Sequence, residues 1–495
     1  MYDLPMPGDA KTRPLLASPR DFLTASGLAL IIFALYLRTL APTVLYYSPE
    51  NFDSAHLQVA AYVLGIPSYT GYPTYIILAH LFTYLPFGEV AWRVNLASAV
   101  FGAATIFTLF FVAGRLGAGR FGAAVGAVAL GVGATVWSQA VIAEVYTLHL
   151  LLSSVFLLAL LVWRDTGRDA HLVLAVFLGG LALTNHLTSM FLLPAGAVFV
   201  ALILGRRAFR PARLLACAGA FLIGLSPYLY LPIRAMMEPP LLGAGPQPDP
   251  STFSGFYELV SGGEFKGSMF VFGPGELLGR LSLYGDDLAR NLGPSLVVVA
   301  VVGVFVLARR DVAACVLLAL VFLLNLGYAL EYEIEDVEIY FIPTYLVLSL
   351  LLTVGTGVLT SFFSNRKYLR YGLSLGLAAL VIIGIPGSYL AGDRSNDDLG
   401  RTMISAVEEN VAPGSTVLVH GRTLDYMQLV EGDRRDIALE DPFYSNDWVG
   451  RAERGLQRGP VYVMYPGATN ARLLREAGYE LSVVEDAMLY RVIER

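Results

Sequence analysis

The sequence predicts a polytopic α-helical membrane protein with about eleven spans and a small α/β domain at its C-terminus. Of the 495 residues, 56% are hydrophobic and only 15% are charged, whereas soluble domains carry about 25% charged residues. Apolar stretches of roughly 18 to 24 residues, each long enough to cross the hydrocarbon core, recur up to residue 390. Beyond that point the hydropathy falls, and short strand and helix patterns alternate.

The apolar stretches define a membrane domain over residues 22–390. We expect spans at 22–41, 91–114, 121–140, 145–162, 172–187, 190–204, 214–231, 294–307, 312–329, 339–359 and 371–390. Residues 1–21 have no apolar core and no small-residue cleavage site, which indicates a cytoplasmic tail. Gly122 and Gly126 have the G-x-x-x-G spacing of close helix packing.

Basic residues fall in alternate segments between the spans. The set consists of Lys11, Arg13, Arg20, Arg115, Arg120, Arg164, Arg168, Arg206, Arg207, Arg210, Arg213, Arg309, Arg310, Arg366, Lys367 and Arg370. Segment 42–90, in the opposite set, has no Lys or Arg. The positive-inside rule therefore predicts a cytoplasmic N-terminus and, after an odd number of spans, an extracytoplasmic domain at 391–495 in a cell-membrane protein.

Two outer segments, 43–90 and 232–293, are too long to be turns. The first contains a turn-rich patch at 47–51, a helical stretch at 55–64 and an apolar stretch at 72–85, which has the length of an interfacial or re-entrant helix. The second opens with a Pro/Gly-rich stretch that contains Pro239, Pro240, Gly243, Gly245, Pro246, Pro248 and Pro250. Loops of such length are usually functional or disordered.

The C-terminal pattern alternates helices and strands. We expect helices at 397–411, 424–430, 447–457 and 468–477, and strands at 416–419, 436–439, 461–465 and, once or twice, within 481–492. This domain has no G-x-G-x-x-G or P-loop motif, so we assign it no nucleotide. Cys217 and Cys315 lie in separate apolar runs, which argues against a disulfide or a cysteine metal site.

Asp53 is the sharpest candidate for chemistry. It lies in the first outer segment, near a backbone turn that Gly71 and Pro73 constrain. An acid held at the membrane interface can act as a general base on a hydroxyl. The alternative is an N-cap for the helix that follows, and the local sequence leaves both roles open.

Three further polar features lie on the same face. Glu144 at the outer end of the fourth span is a site candidate or a helix-start acid. His186, next to Asn185, fits a polar turn better than a metal site. The acidic run 331–338, which includes Asp336, can bind a divalent cation, although such runs are usually solvated. We therefore predict no metal and no cofactor, and nothing in the composition suggests nucleic acid.

One block between residues 41 and 98 resembles the signature of a known family. Its matching residues are Asp53, Leu64, Gly65, Gly71, Tyr72, Pro73, Tyr75, Arg93, Val94, Asn95, Leu96 and Ser98. The block resembles the DUF2723 membrane family, which is similar to protein O-mannosyltransferases among the GT-C glycosyltransferases. Further matches lie at 143–148, 180–186, 412–418 and 432–437, and at Asp336, Tyr340 and Pro343.

Two departures from the signature also lie in this block. Ala55-His56 stands where the family has Gly-Glu, and Ser68-Tyr69-Thr70 stands where it has His-Pro-Pro. A family acid and a family histidine are thus missing from the first outer segment, while Asp53 is retained.

The resemblance implies an inverting transfer of a hexose such as mannose. The donor would be a polyprenyl-phosphate sugar in the bilayer, and the acceptor a protein or glycan outside the cytoplasm. Asp53 would be the base, and Arg93 would bind the donor phosphate, unless it only snorkels to the headgroups. The other binding candidates are His56, Tyr72, Asn95, Glu144, His186, Arg234, Arg280, Arg290 and Asp336.

Two other functions stay open at the level of sequence. A transporter or flippase of lipid-linked saccharides should show an internal repeat and charges at mid-span. We find no repeat, and the polar residues crowd one membrane face. The missing acid and histidine suggest a non-catalytic descendant as the other alternative.

Overall fold

The computed structural model describes residues 18–46, 53–237, 247–442, 445, 447–485 and 488–494. Most of the predicted tail at 1–21 lies outside the described residues. So do the turn-rich patch at 47–51 and the part of the Pro/Gly-rich stretch from 239 to 246.

Helices build the membrane region and its outer segments. They are α1 (Pro19–Thr39), α2 (Ser54–Val63), α3 (Pro73–Thr83), α4 (Val90–Arg115), α5 (Arg120–Gly131), α6 (Ala134–Ala140), α7 (Tyr146–Thr166), α8 (Asp169–Leu183), α9 (Leu192–Leu204), α10 (Pro211–Gly224), α11 (Tyr230–Ala235), α12 (Phe253–Val260), α13 (Pro274–Asn291), α14 (Pro294–Arg310), α15 (Val312–Leu330), α16 (Val337–Tyr340), α17 (Ile342–Phe362) and α18 (Lys367–Gly392).

The helices confirm a polytopic membrane protein, for which the sequence predicts about eleven spans. Within the described ranges, eight helices are long and apolar enough to cross a bilayer, and two bent pairs raise the number to ten. The pairs are α5 with α6, bent by 65°, and α13 with α14, bent by 101°. The remaining predicted span, 172–187, falls on α8, which has 15 residues and is short for a crossing at 1.5 Å per residue.

Helix α17 lies at the centre of the membrane region and packs against α5 and α14. A Cβ atom at Gly122 would lie 2.5 Å from the carbonyl oxygen of Thr353, and one at Gly126 would lie 2.6 Å from that of Ser349. Only glycine permits this approach of the two backbones, which confirms the packing role predicted from the G-x-x-x-G spacing.

Ion pairs collect at one end of the helix bundle, here called the basic end. Arg120 pairs with Asp21 at the start of α1, and Arg115 Nη1 lies 3.1 Å from Asp165 Oδ2 at the end of α7. Arg164 reaches across to the start of α15. The positive-inside rule assigns this end to the cytoplasm, and that orientation stays a prediction.

The outer segments contain more helix than the sequence indicated. The predicted helices at 55–64 and 72–85 appear as α2 and α3. The second outer segment, expected to be a functional or disordered loop, instead contains α12 and the 18-residue α13. Helix α13 begins at Pro274, and the carboxylate of Glu276 accepts the N–H of Gly273 at 2.8 Å, which stabilises its first turn.

After α18 the chain forms a small α/β domain, as predicted. Its elements are α19 (Leu399–Asn410), β1 (Thr416–Leu418), α20 (Thr423–Tyr426), β2 (Ala438–Glu440), α21 (Trp448–Leu456), β3 (Val461–Met464), α22 (Gly467–Glu476), β4 (Tyr479–Glu485) and β5 (Leu489–Glu494). The sheet order is β2-β1-β3-β5-β4. Strand β1 is parallel to β2 and β3, and the β4–β5 hairpin adds antiparallel strands beside β3.

The C-terminal domain docks on the end of the bundle opposite the basic end. Arg401 Nη2 lies 3.0 Å from the Glu89 carboxylate at the start of α4. The N–H of Ala91 donates to the Tyr426 hydroxyl at 3.0 Å, and Thr423 donates to the carbonyl of Leu45 at 2.9 Å. Helix α20 of this domain also packs against α2, which is part of the first outer segment.

Candidate active site

Asp53 occupies the N-cap position of α2, but its side chain makes no capping hydrogen bond. Its Oδ1 atom lies 3.5 Å from the Ser68 hydroxyl and 3.6 Å from His56 Nδ1. Both distances exceed those of ordinary strong hydrogen bonds. With its side chain 35% exposed, Asp53 keeps a carboxylate accessible to an incoming molecule, which favours the base over the cap.

His56 and Ser68 belong to the two short stretches where the sequence departs from the family signature. They contact each other, since His56 Nδ1 lies 3.3 Å from the Ser68 hydroxyl. The two departures are therefore one spatial change beside Asp53. The carboxylate itself keeps its place at the start of α2.

Glu144 and Asp336 are brought close to Asp53 from distant parts of the chain. Glu144 is 5% exposed, and its carboxyl accepts the N–H of Val145 at 3.3 Å and the backbone N–H of Asp53. Burial, followed by the charges of Asp53 and Asp336, raises the pKa of Glu144 well above its usual value. The folded protein therefore favours the protonated form of Glu144.

Asp336 precedes α16 and faces the same carboxylates. Burial, followed by the charge of Asp53, raises the pKa of Asp336 to about 7. The three acids thus differ in environment: Asp53 is partly exposed, while burial raises the pKa of Glu144 and brings that of Asp336 to about 7. Such divergence among neighbouring acids is typical of catalytic sites.

Aromatic rings form a wall beside the acids. The ring of Tyr72 stacks on His186, with centroids 6.4 Å apart and planes 8° apart. Tyr146 and Tyr340 also contact His186, at 5.1 and 5.7 Å between centroids. Tyr72 has a φ of 41°, a left-handed conformation that is uncommon for a bulky residue and that accompanies functional sites. The wall offers flat apolar faces next to hydrogen-bonding groups, which suits a sugar ring.

The ring of His186 is part of this aromatic wall, and one of its ring nitrogens bonds within a local turn. Its Nδ1 atom lies 2.7 Å from the Thr188 hydroxyl and accepts the N–H of the same residue. Burial lowers the pKa of His186 well below its usual value, so the ring is neutral. In the described ranges, no group of three or more His, Cys, Asp and Glu side chains is placed to hold a metal ion.

Two of the predicted phosphate ligands hold backbone carbonyls. Arg93 donates to the carbonyls of Thr83 at 2.7 Å and Gly88 at 2.8 Å, which fixes the turn between α3 and α4. Arg234 donates to the carbonyl of Leu64 at 2.7 Å, just beyond the end of α2. These contacts favour a structural role for both residues over the predicted phosphate contact, and for Arg93 over snorkelling.

The other two arginines differ from each other. Arg280 donates to the carbonyl of Tyr332 at 2.7 Å and lies over the ring of Phe272, so it too is a structural residue. Arg290 is 63% exposed, and its Nη2 atom lies 3.2 Å from Asp287 Oδ1. Of the four predicted cations, Arg290 keeps the most accessible guanidinium.

Asn95 is buried and lies within a structural network. Its amide accepts from Gln58 at 2.8 Å and donates to the carbonyl of Ala41 at 3.1 Å, which ties α4 to α2 and to the end of α1. These contacts give Asn95 a structural role, and its predicted binding role stays a prediction. The sequence reading also missed Tyr146 as a site residue, although it lies in the matching stretch 143–148.

Solved structures share this fold over almost the whole chain. ArnT from Cupriavidus metallidurans, solved with bound undecaprenyl phosphate, aligns with a TM-score of 0.59 at 14% identity, covering 96% of this chain and 98% of that one. The apo oligosaccharyltransferase of Archaeoglobus fulgidus aligns with a TM-score of 0.53 at 13% identity, covering 90% and 69%. These likenesses establish the fold, which is that of the GT-C membrane proteins, as predicted.

Sequence comparisons show similarity to one group of membrane proteins. The family described as "Protein O-mannosyl-transferase TMEM260 N-terminal domain" matches residues 53–207. Protein O-mannosyl-transferase TMEM260 of Mus musculus is 26% identical over 420 residues, which cover 79% of this chain. The chain spans 59% of the length of that relative. This similarity to a protein O-mannosyl-transferase confirms the resemblance predicted from the block that contains Asp53.

Proposed function

We propose that the protein is a glycosyltransferase that moves a hexose such as mannose from a polyprenyl-phosphate donor to a hydroxyl group outside the cytoplasm. The observation that carries this proposal is the exposed, uncapped carboxylate of Asp53 beside a neutral acid and an aromatic wall. The GT-C fold and the O-mannosyltransferase-like sequence support the same reaction class.

The proposed step is a single inverting displacement. The acceptor oxygen attacks the anomeric carbon, the bond from that carbon to the phosphate oxygen breaks, and the electron pair leaves on the polyprenyl phosphate. Asp53 takes the proton of the acceptor hydroxyl as the new bond forms. Protonated Glu144 and the wall formed by Tyr72, Tyr146, His186 and Tyr340 would orient the sugar by hydrogen bonds and ring contacts.

The leaving phosphate needs a cation at the membrane surface. We assign this role to Arg290, whose guanidinium is exposed where α13 bends into α14. It lines a cavity of about 230 Å³ whose walls include Leu292 and the α18 residues Leu380 and Ile383, an apolar surface suited to a polyprenyl chain. Asp287, the partner of Arg290, accepts a hydrogen bond from Tyr345 of α17, and α17 follows directly on α16 and Asp336.

The test is transfer of radiolabelled mannose from polyprenyl-phosphate mannose to macromolecular acceptors in membranes that contain the full chain. Asp53→Asn should lower transfer by about 10²-fold or more, because a general base acts on the barrier. Donor binding should change little. The matched control is Asp286→Asn, which alters an exposed acid on α13 and should transfer normally.

Unchanged transfer by Asp53→Asn would overturn the assignment of the base. A wild-type protein that moves fluorescent polyprenyl-phosphate mannose across proteoliposome membranes without transferring the sugar would instead establish the flippase alternative. A protein that does neither would establish the non-catalytic one.

A further inference from the structure

A second cavity, of about 520 Å³, lies between α7, α8, α9 and α10, within the membrane region. Its walls are apolar side chains such as Phe156 and Leu160 from α7 and Val176 from α8. Its one charged lining residue is Arg213, at the start of α10. The cavity therefore has an apolar interior and a cationic mouth.

The small residues of α9 create this space. Gly196, Ala197 and Ala201 line it, and a Cβ atom at Gly196 would lie 2.9 Å from the ring of Phe156. The lining stretch from Leu193 to Ala201 extends for about 12 Å at 1.5 Å per residue. That length covers most of the roughly 15 Å of hydrocarbon depth in one leaflet.

The mouth of the cavity carries an unusual density of positive charge. Arg206, Arg207 and Arg210 are exposed beside it, and none of them makes an ion pair within the residues that the structure describes. Arg213, by contrast, is paired with Asp169, Nη2 to Oδ2, at 3.0 Å. The neighbouring Phe209 is 66% exposed, as aromatic residues often are at a membrane interface.

We propose that this cavity binds one anionic phospholipid from the leaflet at the basic end. An acyl chain occupies the space along α9, and the headgroup phosphate lies against Arg206, Arg207 and Arg210. Basic pockets between membrane helices recognise anionic headgroups in this way. The site is on the opposite membrane face from Asp53 and does not depend on the proposed transferase activity.

Native mass spectrometry of the full chain in detergent tests this site. Phosphatidylglycerol and phosphatidylcholine with the same acyl chains are titrated in parallel. We expect phosphatidylglycerol to bind at least tenfold more tightly to the wild type. Arg206→Ala/Arg210→Ala should remove most of this preference and leave phosphatidylcholine binding unchanged.

The matched control is Arg309→Ala/Arg310→Ala, which removes two exposed charges at the same end, on α14. It should keep the preference. Equal affinity of the wild type for both lipids, or an equal loss in the control, would overturn the proposal in favour of general surface attraction.

A second variant tests the position of the acyl chain. Ala197→Trp fills the cavity without altering charge and should weaken binding of both lipids at least tenfold. Val301→Trp, on an exposed face of α14, should not. If Ala197→Trp binds phosphatidylglycerol like the wild type, the lipid does not enter the cavity and the proposal fails.

Discussion

Glu144 offers the sharpest test of the electrostatics of the site. Replacing it by Gln keeps the shape of a protonated carboxyl and the oxygen that accepts the N–H groups of Val145 and Asp53. Because burial and two neighbouring acids raise its pKa, the folded protein favours the neutral form of the wild-type side chain. We therefore expect Glu144→Gln to fold normally.

The sign of the pH effect follows from linkage. A carboxyl whose pKa is higher in the folded chain binds more protons there, so folding weakens as pH rises above the ordinary value of 4.5. The loss is about 1.4 kcal/mol per pH unit until the folded pKa is reached. As the pH rises from 6 to 8, the Gln variant should therefore gain stability on the wild type, by at most about 3 kcal/mol.

Glu144→Ala should behave differently. It removes one buried methylene, worth about 0.8 kcal/mol, together with the carboxyl group, and it leaves buried N–H groups without an acceptor, which costs about 1–3 kcal/mol. The total loss of stability is about 2–4 kcal/mol at pH 5, where the wild type and the Gln variant should be nearly equally stable.

Thermal unfolding in detergent micelles at pH 5, 6, 7 and 8 measures these differences. The gap in Tm between the Gln variant and the wild type should widen by a few degrees as pH rises. A Gln variant that is less stable than the wild type at pH 8 would show that Glu144 is ionised and paired, and the reasoning would be wrong.

Three further predictions follow from the site, the packing and the topology. Donor binding should weaken from pH 6 to pH 8. Burial and a neighbouring carboxylate raise the pKa of Asp336 to about 7, so over this range Asp336 becomes an anion near an anionic donor. Asp336→Asn should flatten this pH dependence of Kd, and an unchanged slope would contradict the prediction. Gly303→Ala should destabilise the folded protein by about 1–3 kcal/mol and lower Tm, because the new Cβ would lie 2.0 Å from a carbonyl oxygen of α17. Gly279→Ala adds a Cβ in open space and should leave Tm unchanged. A cysteine at Ser445 should react with an impermeant reagent in intact cells, and one at Ser364 only after permeabilisation; the reverse pattern would overturn the orientation.

The sequence alone predicted the features that depend on local chemistry. Apolar runs of membrane length revealed the helical spans, because lipid requires a continuous apolar surface and an internally bonded backbone. Alternating short strands and helices revealed the C-terminal domain. The first outer segment indicated both Asp53 and the family resemblance, because the acid and the turn residues of the signature lie close together in the sequence.

Helix α13 is an element that the sequence pattern did not predict. One side of this helix is buried and the other is exposed, so its apolar content is too low to resemble a span and the sequence predicts a loop. Tyr284 and Asp287 are buried on one side of it. That side is defined by contacts with other helices, which no stretch of sequence displays.

The tertiary structure decided the roles of the charged residues. The sequence predicts Arg93 and Arg234 as phosphate ligands, whereas in the folded chain their guanidinium groups donate to backbone carbonyls. Glu144 and Asp336 became partners of Asp53 because folding brings three distant segments to one place. Burial and charge proximity set their protonation, and both quantities arise from residues far apart in the chain, so only the folded arrangement could determine them.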